Sequence, residues 1–195
     1  MEPCRLNVMG ASGAGATTLG RAIATAWSVP HADSDDYYWV PTMPAYNTPR
    51  PVPERIGLMR QVFAPRSAWV LSGAMTSWGE PIVSHCDATV FLTVDPQERM
   101  RRLEAREDRR RRTEGLDREA SQEFLEWAAG YDDPTFTSRS LRSQQAWLDR
   151  LQTPVLRLDS SQSVDELCSQ VLAWDPGSSS DQSATTPHVP YGPTP

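Results

Sequence analysis

The chain contains no lysine: all 19 of its basic residues are arginine. Any positive charge at a site is therefore a guanidinium, which stays ionised and whose planar fork grips phosphate oxygens at two points. Cysteine is scarce as well. Cys4, Cys86 and Cys168 are odd in number and far apart, which indicates neither a disulfide framework nor a zinc cluster. No long apolar run and no signal-peptide pattern occur in the 195 residues, so the sequence predicts no membrane partner and a cytoplasmic location. The formal net charge is −6. Such a chain lacks the positive excess that displaces counterions from a polyanion, so no nucleic-acid partner is expected. Nothing in the sequence sets an oligomeric state.

What is present suits a single α/β domain. Apolar runs at 5–9, 29–32, 68–73, 87–95 and 154–159 read as strands, the run "DATVFLTVD" being the clearest. Helical spacing marks 17–27, where Leu19, Ile23, Ala26 and Trp27 recur, and 54–63, with Ile56, Met59, Val62 and Phe63 on one face. Further helices are expected at 96–112, 121–129, 140–152 and 164–173, and the proline-rich 41–53 reads as a loop. After Trp174 the composition turns to Pro, Gly, Ser and Thr. A domain over 1–174 and a disordered tail over 175–195 follow. Strands alternating with helices imply a parallel sheet covered on both faces, with ligands outside the carboxyl ends of its strands. Gly10, Asp33, Gly73, Asp95 and Asp159 all fall at that edge.

The stretch "GASGAGATT" (10–18) follows the first strand and opens the first helix. Glycines at that junction let successive amides approach phosphate oxygens, and the helix adds its positive dipole end. The pattern G-x-x-x-x-G-K-[ST] is met except that its lysine position holds Ala16. Thr17 sits where a hydroxyl coordinates Mg²⁺. The competing reading is an ordinary strand–helix turn. "HADSDDYYW" (31–39) places Asp33, Asp35 and Asp36 directly after the second strand. A carboxylate there can orient an acceptor hydroxyl, take its proton or hold metal-bound water, although Asp and Ser are also ordinary turn residues. "RMRRLEAREDRRRR" (99–112) reads either as a solvated helix laced with ion pairs or as the source of a catalytic arginine. Arg102 and Arg106 are four apart and share a face.

Taken in order, the glycine loop, "DSDD", "WVLSG", the "RLEAR" helix and "PVLRLDSSQS" resemble the adenylate-kinase-like small P-loop kinases over residues 4–173. The pattern is similar to a bacterial subgroup labelled adenylate kinase or AAA-family ATPase, several members of which also lack the loop lysine. The resemblance implies a three-layer fold with a five-stranded parallel sheet in order 2-3-1-4-5, helices on both faces and a small helical lid at about 107–139. It implies that Gly10, Ser12, Gly13, Ala14, Gly15, Ala16, Thr17 and Thr18 cradle ATP, with Thr17 and Asp33 at Mg²⁺. It implies Asp35 at the acceptor hydroxyl, Arg102 and Arg106 clamping the nucleotide, and Arg139 and Arg142 among the arginines that follow the lid. Arg50, Arg55 and Gly73 lie where acceptor-binding residues are found, and the loop after the last strand would border adenine.

The function expected is transfer of the γ-phosphoryl of Mg-ATP to a small metabolite or nucleotide, with an arginine in place of the lysine. Such transfer needs alignment and positive charge more than covalent help. The alternative is a nucleotide-binding regulatory module or plain ATPase with little kinase turnover, because Ala16 replaces the lysine.

Overall fold

A computed structural model describes residues 1–43, 45–115 and 117–177. All but the first three residues of the expected tail therefore lie outside the described residues. Five parallel strands form the sheet: β1 (Arg5–Gly10), β2 (His31–Asp33), β3 (Trp69–Ser72), β4 (Ala88–Thr93) and β5 (Val155–Asp159). Their order is β2-β3-β1-β4-β5, and all pairings are parallel. This is the expected order, and it sets every strand's carboxyl end at one edge.

Two-residue periodicity sorts the strand side chains onto two faces. On one face Leu6, Val8, Val70, Val90, Leu92 and Leu158 pack against Leu19 and Ile23 of α1 (Ala16–Trp27) and Leu167 and Val171 of α8 (Val164–Ala173). On the other, Met9, Trp69, Leu71 and Phe91 meet Ile56 and Met59 of α3 (Val52–Val62), Ile82 of α4 (Glu80–Val83) and Trp147 of α7 (Leu141–Leu148). Helices thus cover both faces, as the near-continuous apolar strands require. No helix among the described residues is long and apolar enough to cross a membrane.

Several boundaries differ from the sequence reading for local reasons. β2 starts at His31 rather than at 29, because the Val29 amide is taken by the Ala24 carbonyl at the end of α1 and Pro30 has no amide to give. The acidic stretch after it is a short helix, α2 (Ser34–Tyr38), because the Asp33 side chain caps it by accepting the Asp35 amide. Proline at the first turn lets α3 begin at Val52, two residues early. α5 (Pro96–Glu114) runs slightly beyond the expected end, and α6 (Arg118–Ala129) starts three residues early because Asp117 caps the Glu119 and Ala120 amides. α7 stops at Leu148, four residues short. There the Arg150 and Leu151 amides turn to carbonyls three residues back, on Trp147 and Leu148.

Candidate active site

The loop between β1 and α1 is built on two glycines in left-handed backbone, Gly13 at φ +87° and Gly15 at φ +91°. A Cβ on Gly13 would stand 2.9 Å from Leu103 Cγ and 3.0 Å from the Arg99 carbonyl oxygen, so the loop lies directly on α5. A Cβ on Gly15 would meet nothing within 4 Å. Gly15 precedes α1, and no side chain caps that helix's first amides. An uncapped first turn beside open space is what an anion cradle requires. Gly10 closes β1, its Cβ side pressed against the Leu92 carbonyl. Ala14 is buried and donates its amide to Ala11 O at 3.0 Å, tightening the turn. Thr18 is exposed, and the Ala16 carbonyl accepts Ser72 Oγ at 3.1 Å, which ties the start of α1 to β3.

Thr17 Oγ1 donates to Asp33 Oδ2 at 2.7 Å. The other oxygen of Asp33 accepts the Asp35 amide, so one carboxylate joins the glycine loop to α2. This pair of hard oxygen donors fits Mg²⁺, which commonly takes one or two protein oxygens and completes its shell with phosphate and water. Asp35 is pushed above its ordinary carboxyl range, first by burial and then by the Asp33 charge, while Arg139 and Arg106 oppose the shift. The carboxylate is exposed at the mouth of the site, with cations in electrostatic reach, which suits a general base open to an acceptor.

The arginines divide among distinct tasks. Arg99, 1 % exposed, pairs with Asp132 at 2.7 Å and donates to the Ala128 carbonyl and, at 3.4 Å, to the Ser12 carbonyl. It supports the loop from beneath. Arg102 donates to Glu98 and, at 3.0 Å, to the Ser160 carbonyl beyond β5. Arg106 instead pairs with Glu107 at 3.1 Å and lies over the Phe124 ring. The two share a helix face but turn to different neighbours. Arg139 comes from the connection after α6 and donates through Nη2 to Ser12 Oγ. Asp95 and Asp159, at the same sheet edge, cap local turns by accepting the Gln97, Glu98 and Ser161 amides.

On the far side of Asp35 lies an aromatic–cation cluster. Arg50 bonds the Tyr37 and Asp36 carbonyls and so fastens the 41–53 loop to α2. Arg55, 7 % exposed, gives Nε to the Arg50 carbonyl and stacks 3.7 Å from the Tyr38 ring centroid and 5.1 Å from that of Trp78. Gly73 follows β3 hard against Ser34, and its carbonyl accepts Asn7 Nδ2 at 3.2 Å. Sequence reasoning singled out Arg55, and noted Trp39 and Trp78 as loop residues beside the site, but not Tyr38 or Arg99. Nothing in the arginine run distinguishes Arg99 from its neighbours, and only packing against Ser12 reveals it.

Among known proteins, no family model matches the chain. It is 36 % identical over 173 residues to the uncharacterized protein YqaC of Bacillus subtilis (strain 168), spanning 87 % of this chain and 96 % of that one. The chain belongs to the YqaC family. Among solved structures, a shikimate kinase from Acinetobacter baumannii in complex with shikimate superposes with a TM-score of 0.53 at 17 % identity, covering 88 % of this chain and 92 % of that one. A gluconokinase from Sinorhizobium meliloti 1021 gives 0.49 at 20 % identity, over 88 % and 90 %. At such identities the likeness is one of fold, and the fold of this YqaC relative is that of the small P-loop kinases.

Proposed function

We propose that the protein is an adenylate-kinase-like phosphotransferase that moves the γ-phosphoryl of Mg-ATP to a small metabolite or nucleotide. The observation that carries this reading is the convergence on one sheet edge of an open glycine cradle, the Thr17–Asp33 pair and an exposed Asp35 two residues beyond that pair. Gly10 to Thr18 hold the phosphates through main-chain amides. Thr17 and Asp33 would hold Mg²⁺, whose charge offsets that of the phosphate oxygens. Asp35 takes the proton of the acceptor hydroxyl. That oxygen then bonds the γ-phosphorus as the bond to the β-phosphate oxygen breaks, and ADP leaves with the electron pair. Arg102, tied to the Ser160 loop, and Arg106, one turn further along α5, clamp the nucleotide. Arg50 and Arg55 shape the acceptor side with Gly73, under a lid spanning about 107–139 within the 1–174 domain.

The absence of the loop lysine favours a second reading, a nucleotide-binding module or ATPase with little kinase turnover. The presence of Asp35 beyond the cradle weighs against it, since a sensor needs no acceptor base. ADP release measured with a panel of nucleosides, nucleotides, sugars and hydroxy acids separates the two. The kinase predicts acceptor-dependent ADP release that is lost in Asp35→Asn. Nucleotide binding with no acceptor dependence anywhere in the panel would overturn it in favour of the module.

A further inference from the structure

The arginines of α5 near the site are mostly neutralised in place. Arg99 has Asp132, Arg102 has Glu98, and Arg106 and Arg110 share the buried Glu107. Arg139 is different. Among the described residues no carboxylate lies within ion-pair distance of it. Its Nη2 rests on the neutral Ser12 hydroxyl; its Nε, like that of Arg99, is buried without a hydrogen-bond partner, so the missing carboxylate is what sets it apart. The guanidinium lies 5.1 Å from the Trp127 ring centroid, in a crevice lined by Ser12, Arg99, Ala128 and Tyr131. A half-buried cation whose partners are a ring and a neutral hydroxyl lacks the counter-charge that its neighbours have, and an anion at its accessible side supplies it.

From this geometry we infer that Arg139 supplies, from the opposite wall, the phosphate-binding charge that Ala16 removed from the loop itself. The inference rests on the nucleotide-binding reading above and assigns one residue within it. Ser12 is a loop residue, so an arginine reaching its hydroxyl is poised over the same cradle that a lysine at position 16 would enter. The guanidinium presents forked donors where an ammonium would present a point charge. The chain fits the substitution, since it has no lysine with which to refill position 16.

A charge-relocation cycle tests this. Affinity for the magnesium complex of a non-hydrolysable ATP analogue is measured by calorimetry on the full chain. The proteins are wild type, Arg139→Met, Ala16→Lys and the double variant, each checked for cooperative unfolding. A charge-assisted phosphate contact corresponds to a weakening of about 10- to 100-fold in Arg139→Met. The lysine is predicted to restore at least tenfold in the Arg139→Met background and to give a clearly smaller gain in the wild-type background, since one charge then answers for the other. If Arg139→Met does not fold, Arg139→Lys carries the same cycle, with a smaller loss that Ala16→Lys again reverses. Wild-type affinity in Arg139→Met, or the same gain from Ala16→Lys in both backgrounds, would overturn the assignment while leaving nucleotide binding intact. No affinity in the wild type overturns the nucleotide reading and this inference together.

Discussion

Gly13 and Gly15 hold nearly the same backbone angle, φ +87° and +91°, in different surroundings, which separates strain from function. Alanine at either position forces an L-residue into left-handed backbone, at about 1–2 kcal/mol. At Gly15 that is the whole cost to folding, because the added methyl meets nothing within 4 Å. At Gly13 the methyl lies 2.9 Å from Leu103 Cγ and 3.0 Å from the Arg99 carbonyl. The carbonyl belongs to helix backbone and cannot swing aside, so overpacking adds about 1–3 kcal/mol. For a domain of this size each kcal/mol moves Tm by roughly 2–4 °C. Gly15→Ala therefore loses roughly 2–8 °C, and Gly13→Ala loses roughly 2–12 °C beyond that. Binding predicts a different ranking. The open space beside Gly15 is where the account puts a phosphate, so Gly15→Ala weakens Mg-ATP by tenfold or more despite its smaller loss of stability. Thermal unfolding and Mg-ATP titration on the two variants give both rankings. Equal destabilisation, or undiminished Mg-ATP affinity in Gly15→Ala, would overturn both rankings.

Asp35 carries a pH prediction. Its folded pKa is raised by burial and by Asp33, so acceptor-dependent turnover, which needs the carboxylate, is lost on acidification at a higher pH than an ordinary aspartate would set. The stability effect has the opposite sense: the ionised group is unfavourable in the folded state, and that penalty is relieved as pH falls through the folded pKa. Asp35→Asn accordingly raises Tm only slightly at pH 7, because the exposed side chain is screened by solvent, and that advantage shrinks in acid; a clearly lowered Tm at pH 7 would contradict the assignment. Arg99→Met keeps much of the stem's volume but breaks the pair with Asp132 and frees the Ser12 and Ala128 carbonyls. A loss of about 3 kcal/mol or more in urea unfolding is expected, against near-neutral behaviour if Arg99 were merely a surface charge. Asp33→Asn keeps the Thr17 hydrogen bond but removes a charge from the metal pair, so the Mg²⁺ concentration needed for half-maximal nucleotide binding rises severalfold, and an unchanged requirement would count against that pair.

The sheet was legible in the sequence because its central strands are buried on both faces, and an uninterrupted apolar run as short as that in 87–95 fits a covered strand far better than a helix. Strand order came from the resemblance rather than from any run of residues. α2 and α4, at five and four residues, are too short to display a helical period, and α2 exists chiefly because Asp33 caps it. In the site, local motifs were readable: the glycine loop, Thr17 and the aspartates each lie within a few residues of a strand end. Arginine roles were not. All nineteen carry the same charge, and what separates Arg99, Arg102, Arg106 and Arg139 is which carboxylate, carbonyl or ring each reaches. The contact between Arg139 and Ser12 spans 127 positions, a distance over which no spacing rule operates.

Calorimetric titration of the wild-type chain with ATP, once with Mg²⁺ and once with a chelator, tests the glycine-loop reading at its root. The account predicts saturable one-to-one binding that weakens sharply when the metal is withdrawn and falls again in Gly15→Ala. Absence of heat with any magnesium nucleotide, or binding indifferent both to the metal and to Gly15, would contradict it.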